Sequence, residues 1–537
     1  MRHLHALLLL VMAACVVGAT PPPPELTVTS PERGLVQGGA GQILVAGVAR
    51  PGSDGAAIAR VSVNRVPAAL AADGSFTAIV DVPPGAMLLE TVATSTAGGS
   101  ATDARAVQIG ELRPVGTSID RAITATLSAE AFARLSAAAG PILTTTDFDA
   151  LLAPLQPMAS LGDSIANLKL SVTRLTLTGA RITLVPTDGG LAFTAQLDGL
   201  DVAANAAYGG TLVIDGSTSI GITADQLTIA GTLAVTPAGT VGFTTKIMSP
   251  AVRTTALRLQ ASGLAGQVLG LMTDNLGSTI QDIATRSAER ALEPLINDAL
   301  GALAGPQRLD VLGETLSLQT SPHAITFSRD GALVALNVMT KLDGSEASPG
   351  YVFTPNGTPT LDVTRGIQLG LADDLMNELL AQVHALGLLD IHLEQDVGVF
   401  DTIEIKLSMP PMISANDPDG TMRLVLGDMI ATFTDDGATI ISAAINAQVE
   451  LEIQRADDPQ DLALQFGKVH VFVNVLDTSD DGGLDLSGAA TAGISLQLDS
   501  LSQFLITVPV PSVAGVTLDS LSLRADSGYV VVSGAVR

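Results

Sequence analysis

Apolar and polar residues alternate with a period of two through most of this sequence. That is the pattern of strands that bury one face and wet the other. Residues 25–110 break into short alternating runs, LTVTSP, QILVAGVA, ARVSVN, ADGSFTAIVDVPPG and LLETVATSTAGG, punctuated by Gly, Pro and Asp. Turns at such short spacing predict a small β-sandwich. Longer strands follow. Leu168, Leu170 and Val172 alternate in one phase and Leu175 and Leu177 in the other. The slip predicts a β-bulge near Thr173-Arg174. Leu227, Ile229, Leu233 and Val235 hold one phase, and Val241, Phe243 and Ile247 hold it again. Val449, Leu451 and Ile453 enclose Glu450 and Glu452, and the runs Val469, Val471, Val473 and Ile494, Leu496, Leu498 repeat the pattern.

Helical periodicity interrupts these strands. Ser128 is placed to N-cap AEAFARLSAAA, with Phe132, Leu135 and Ala139 on one stripe. Asp147 to Leu155 gives a short helical stretch limited by Pro154. Residues 274–303 carry the longest helical signal, with Leu276, Ile280, Ile283, Leu295, Ala299 and Leu303 on one side and a kink expected at Pro294. In LADDLMNELLAQVHALG, Leu371, Leu375, Met376, Leu379 and Val383 form a stripe and Gly387 is the expected stop. One plan thus occurs twice, an apolar helix flanked by long one-sided strands. The expectation is an α+β protein with units over 118–345 and 366–537, joined by a Gly- and Pro-rich linker over 346–365.

Charge changes the picture of what this chain can bind. Lys and Arg total 27 against 54 Asp and Glu, a net charge of −27 over 537 residues. Such a surface repels phosphate backbones, so nucleic acid is excluded as a partner. The single Cys excludes disulfides within the chain and Cys-based zinc sites. Arg2 followed by the short apolar run from Ala6 to Ala14 reads as an export signal over 1–19. Two cleavage readings stand side by side. Val17-Gly18-Ala19 fits release, whereas Met12-Ala13-Ala14-Cys15 resembles a bacterial lipobox, with Cys15 as the lipidated residue and Pro21 to Pro24 as a stiff spacer. An outer-membrane lipoprotein or an extracellular protein is therefore expected.

Catalytic signatures are missing. There is no G-x-S-x-G, H-E-x-x-H, G-x-G-x-x-G or P-loop. His392, Glu394 and Asp396 alternate on an expected strand, where the wet face opposite Ile391 and Leu393 explains them better than a metal. Asp477-Thr478-Ser479-Asp480-Asp481-Gly482 resembles the start of a calcium loop, but its twelfth position is Gly488, without the closing carboxylate. Neither an enzyme nor a cofactor or metal protein is expected.

Two resemblances add to this reading. In residues 25–110, Ser30-Pro31, Gly47-Val48, Val61-Ser62-Val63-Asn64, Asp73-Gly74-Ser75-Phe76 and Ala97-Gly98 resemble a bacterial immunoglobulin-like module, for which a spacer role is expected. Further on, Leu369-Gly370-Leu371-Ala372-Asp373-Asp374-Leu375-Met376-Asn377, followed by Ala385-Leu386-Gly387-Leu388-Leu389, is similar to the start of the second barrel of bactericidal/permeability-increasing protein and its lipid-transfer relatives. Met409-Pro410-Pro411 and Val508-Pro509-Val510-Pro511 sit where that family has similar runs. The resemblance spans about residues 118–537. It implies two tandem tubular lipid-binding barrels, each a twisted antiparallel sheet around a long helix, enclosing an apolar tunnel for a phospholipid or other acyl lipid. Candidate lining residues are then Phe132, Leu135, Ile280, Ile283, Leu295, Leu375, Leu379 and Val383. The first barrel, with two helices, is expected to hold the principal pocket. The chain departs from the family's vertebrate members in lacking a first-barrel disulfide and in being acidic. A cell-surface scaffold with closed, packed barrels is the alternative.

Overall fold

The computed structural model describes residues 21–39, 41–145, 153, 156–162, 164–165, 167–211, 213–239, 242–261, 285–286, 307–364, 366–394, 401–416, 421–455, 462–478 and 518–536. The export signal, Cys15, nearly all of the helix expected over 274–303 and the stretch 147–155, save residue 153, lie outside them.

The expected α+β pair of tubular barrels is corrected by the structure. The described residues are 68% strand and 8% helix in several sheets, and among them no long helix runs inside a barrel. Two α-helices are present among the described residues, Ala129–Thr145 and Asp373–Ala385. The physical reason lies in the length of the alternating runs. Strands such as Gly190–Gly210, Val213–Pro237 and Ala438–Arg455 contribute alternate residues to the large apolar cores. Among the described residues, no helix is long and apolar enough to cross a membrane.

Two sheets form the N-terminal sandwich. One orders Glu25–Ser30, Gly41–Arg50, Ser75–Val82 and Ala69–Leu70; the other orders Leu35–Gln37, Ser100–Ile109, Gly85–Ser95, Ile58–Val63 and Val66–Pro67. Val45, Val63, Phe76, Leu89, Val107 and Ile109 fill the space between them. The alternation read from the sequence is visible in Ser75–Val82, where every second side chain is buried.

The sandwich is packed against the second half of the chain. In strand Met422–Asp435 the register with Ala438–Arg455 slips between Leu426 and Met429. The slip turns Asp428 toward the sandwich, at a φ of 42°. Its carboxylate accepts from the Arg33 guanidinium at 2.7 Å, the Gly34 N–H at 2.9 Å and the Ala106 N–H at 3.2 Å. Asn446 bonds Asp428 through both its amide atoms and donates to the Ala104 carbonyl. Asn474 accepts from the Ala104 N–H and donates to the Thr102 carbonyl. Gly427 is needed for this approach, since a Cβ there would stand 2.4 Å from the Ala106 Cβ.

Three further sheets make up the body among the described residues, beside a two-stranded pairing of Glu111–Arg113 with Tyr351–Phe353. A seven-stranded central sheet orders Gln307–Val311, Glu314–Ser328, Gly331–Leu342, Ile119–Ser128, Ile367–Ala372, Tyr529–Val536 and Leu518–Asp526. The strands on either side of the pairing between Ile119–Ser128 and Ile367–Ala372 come from opposite halves of the sequence. A first large sheet runs from Ala159–Gly162 through Asn167–Thr176, Gly190–Gly210 and Val213–Pro237 to Phe243–Thr255, with Gly179–Thr187 and Arg258–Ala261 paired alongside. The expected bulge is there: the register slips between Val172 and Arg174. The second large sheet orders Ile391–Glu394, Thr402–Leu407, Met422–Asp435, Ala438–Arg455 and Leu462–Thr478, with Met412–Ser414 paired to the third of these.

Candidate functional site

The helices begin and end where their local chemistry dictates. Ser128 Oγ accepts from the Ala131 N–H, capping Ala129–Thr145. Gly387, at a φ of 66°, ends Asp373–Ala385 and donates its N–H to the His384 carbonyl.

The expected lining residues that are described fall in three apolar clusters. Phe132 is buried in the core of the first large sheet, its ring centroid 6.2 Å from that of Phe327, and Leu135 packs half-buried on the same core. Leu375 is half-buried in a small cluster with Ile119, Ala122, Val338, Tyr351 and Ala381. Leu379, half-buried, and Val383, fully buried, belong to the core of the second large sheet. Ile280, Ile283 and Leu295 lie outside the described residues. His392 and Glu394 are exposed side chains 3.8 Å apart, and Asp396 is outside the described residues. Among the described residues, no group of three His, Cys, Asp or Glu side chains could hold a metal ion.

The two large sheets differ in how their apolar faces end. In the first, the inner face stays buried onto strand Phe243–Thr255 at Phe243 and Ile247, with 2% and 5% exposure, and opens beyond them. In the second, it runs out into the open on Leu462–Thr478, the last strand of that sheet among the described residues. Val469, Val471, Val473 and Val475 stand directly opposite Val449, Ala447, Ile445 and Ala443, so each pair shares a face. The inner partners are core residues, yet Val469 and Val471 are 38% exposed and Val475 56%. At roughly 3.3 Å per residue this aliphatic strip is about 20 Å long. The alternation of Val469, Val471 and Val473 was legible in the sequence; the exposure was not, because a period of two fixes a shared face without saying what covers it.

A second concentration of chemistry lies on helix Asp373–Ala385. Its polar positions are buried: Asp373, Asp374, Glu378 and Gln382 have no exposed surface. Asp374 Oδ1 accepts from the Thr354 N–H at 3.0 Å, Asp373 Oδ2 from Ala415 N–H at 3.0 Å and Glu378 Oε1 from Gly116 N–H at 2.7 Å. Glu378 Oε2 also bonds the Thr340 hydroxyl, which accepts from the Gln382 amide. Asn377 bonds both backbone atoms of Ile413. Burial pushes all three carboxyls up: Asp373 to about 7, with the neighbouring Asp374 adding to the rise, Asp374 to about 6 and Glu378 to about 7. Sequence reading singled out only the apolar stripe of this helix and assigned these positions no role. Their own spacing, at 373/374, 377/378 and 382, was the available signal.

No family model matches the chain, and no curated protein matches it. Several solved structures are similar to it at low overlap. A lipopolysaccharide binding protein is 13% identical, with a TM-score of 0.36, covering 78% of this chain and 99% of that one. P47 of Clostridium botulinum E1 is 8% identical, with a TM-score of 0.30, covering 78% of this chain and all of that one. P47 from Clostridium botulinum A2 is 9% identical, also at 0.30, covering 77% of this chain and 96% of that one.

Proposed function

We propose that this chain is an exported, non-catalytic lipid-binding protein of a bacterial envelope, sheltering acyl chains against an apolar sheet face and serving as a lipid carrier. The observation that carries the reading is the strip Val469, Val471 and Val475, the continuation of a buried aliphatic face left open to water. Covering it with acyl methylenes stabilises a complex by about 0.8 kcal/mol per CH2 buried. With a chain at −27, such binding draws little on attraction of an anionic headgroup. Export by the N-terminal signal, with attachment through Cys15, keeps the protein at a membrane that supplies the lipid. The rival reading, a packed surface scaffold, draws on the first sheet, whose inner face stays buried as far as Phe243 and Ile247.

Native mass spectrometry of the full chain, followed by titration with a fluorescent fatty acid, separates the two. The expected result is a copurified or titratable acyl lipid, with affinity reduced at least tenfold by Val471→Asn. Val471 is an exposed position, so this change leaves the fold standing. The Cys15→Ser chain is expected in the soluble fraction with its lipid binding intact. Saturable binding that Val471→Asn leaves unchanged would move the site elsewhere, and absence of any acyl binding would leave the scaffold reading.

A further inference from the structure

The polar face of helix Asp373–Ala385 holds three carboxyls, two of them on adjacent residues that meet at one hydroxyl. The Thr354 hydroxyl stands 3.3 Å from Asp373 Oδ1 and 3.2 Å from Asp374 Oδ1. A hydroxyl has one proton to donate. Between two carboxylates that proton can only be shared in a weak three-centre bond, whereas a protonated carboxyl would donate a second bond to the Thr354 oxygen. The three carboxyls have no exposed surface. Arg113, which acts on Asp374, is paired with Glu111 at 3.2 Å and stacked 3.3 Å over the Phe353 ring.

The same face ties distant parts of the chain together. Thr354, with Asn356 donating to Asp374 Oδ2, belongs to the segment that follows strand Tyr351–Phe353. Gly116 lies between the sandwich and the central sheet, Thr340 is within that sheet, and Ala415 follows strand Met412–Ser414 of the second large sheet. Four segments therefore converge on three acids.

We propose that this helix face is a proton-operated latch, which holds the 354–356 segment and the second large sheet to the central sheet while its carboxyls are protonated and loosens when they ionise. The other titratable and charged groups on the elements packed here do not replace those protons. Tyr351 and Tyr529 are buried phenols pushed upward by burial. The Tyr529 hydroxyl donates to the Arg121 carbonyl, with the Arg121 side chain and Asp120 exposed. Lys341 and Glu346 pair with each other at 3.2 Å. His384, on the helix itself, bonds the Leu407 carbonyl. The direction follows from the raised carboxyls. Free Asp and Glu release their protons near 3.8 and 4.5, the latched ones near 6 to 7. The latch is at full strength below about pH 4 and loses strength as pH rises through 6 to 7.

Hydrogen exchange of the full chain at pH 5 and pH 8, corrected for the intrinsic pH dependence of amide exchange, reads the latch directly. Peptides covering 351–360 and 373–386 are expected to lose at least tenfold in protection at pH 8, while sandwich strand Gly85–Ser95 keeps its own. Asp373→Asn and Glu378→Gln remove the ionisable group while keeping an acceptor oxygen, so each is expected to flatten the difference. Equal protection at the two pH values in the wild-type chain overturns the proposal whether or not the variants fold. A loss shared equally by the sandwich, or an undiminished loss in both variants, overturns it as well. Lipid binding plays no part in these readouts, so they stand apart from the acyl-binding reading.

Discussion

At the scale of single residues, Asp428 has the most to lose. Its side chain is fully buried, that of Arg33 13% exposed, and the two come from positions 395 residues apart. Removing the carboxylate strands the Arg33 charge with only Asp103 at 3.1 Å and leaves the Gly34 and Ala106 N–H groups without an acceptor. Breaking one side of a buried pair costs about 3–5 kcal/mol. Asp428→Ala is therefore expected to lower the urea midpoint at which the sandwich unfolds or detaches. Asp428→Asn should lose less, since Asn tolerates positive φ and still accepts. An unchanged midpoint for the Ala variant would show that the docked sandwich draws nothing from this group. Half of the arrangement was legible. A lone Gly followed by Asp within the apolar run MRLVLGDMIATF signals a bulge or a close backbone approach. Its partner was not legible, because Arg33 lies in a turn whose local sequence carries no trace of a contact made so far along the chain.

At the scale of elements, helix Asp373–Ala385 separates what periodicity reports from what it leaves open. A period of 3.6 tells which residues share a face. Of the expected stripe, Leu371 lies in strand Ile367–Ala372, Leu375, Met376 and Leu379 are half-buried and Val383 is fully buried, whereas Leu380, outside that stripe, is also fully buried in the core of the second large sheet. The opposite polar face is buried too, because backbone N–H groups from separate segments converge on it. That convergence belongs to the tertiary structure and has no local signature. The expected consequence is an inversion of mutational cost. Leu380→Ala should destabilise by about 2–5 kcal/mol, as for a filled core position, and Leu375→Ala by clearly less. Denaturant midpoints of the two variants check this, and a larger cost at Leu375 would mean that the stripe is the true core face. The strands were legible in finer detail, down to the phase slip between Val172 and Arg174. The balance of classes was not. Helical stripes suggested an α+β plan, and the long strands outweighed them.

At the scale of the whole molecule, the central sheet makes the two halves of the sequence depend on each other. Ile123 to Leu127 pair with Leu371 to Ile367 on one side of strand Ile119–Ser128 and with Leu336 to Ala332 on the other. The cores cross the same boundary. Ile367, Leu369 and Val532 from the second half pack with Ala125 and Leu127 of the first, while Leu316 and Leu342 from the first pack with Ala525 and Val530 of the second. Alternation could announce each of these strands but not its neighbour, since a period of two is blind to which strand pairs with which. A cut between the halves would leave each with an open sheet edge and a stripped apolar face. The segment over 346–365 is where such a cut can be made, because Pro355, Gly357 and Thr358 are exposed. A protease site inserted between Gly357 and Thr358 should be cleaved in the folded protein. The two fragments should then elute together in gel filtration and separate only in denaturant, because the sheet pairing and both shared cores survive the break. Separation in native buffer would mean that the halves are independent bodies joined by a tether, and that the central sheet contributes little to holding them.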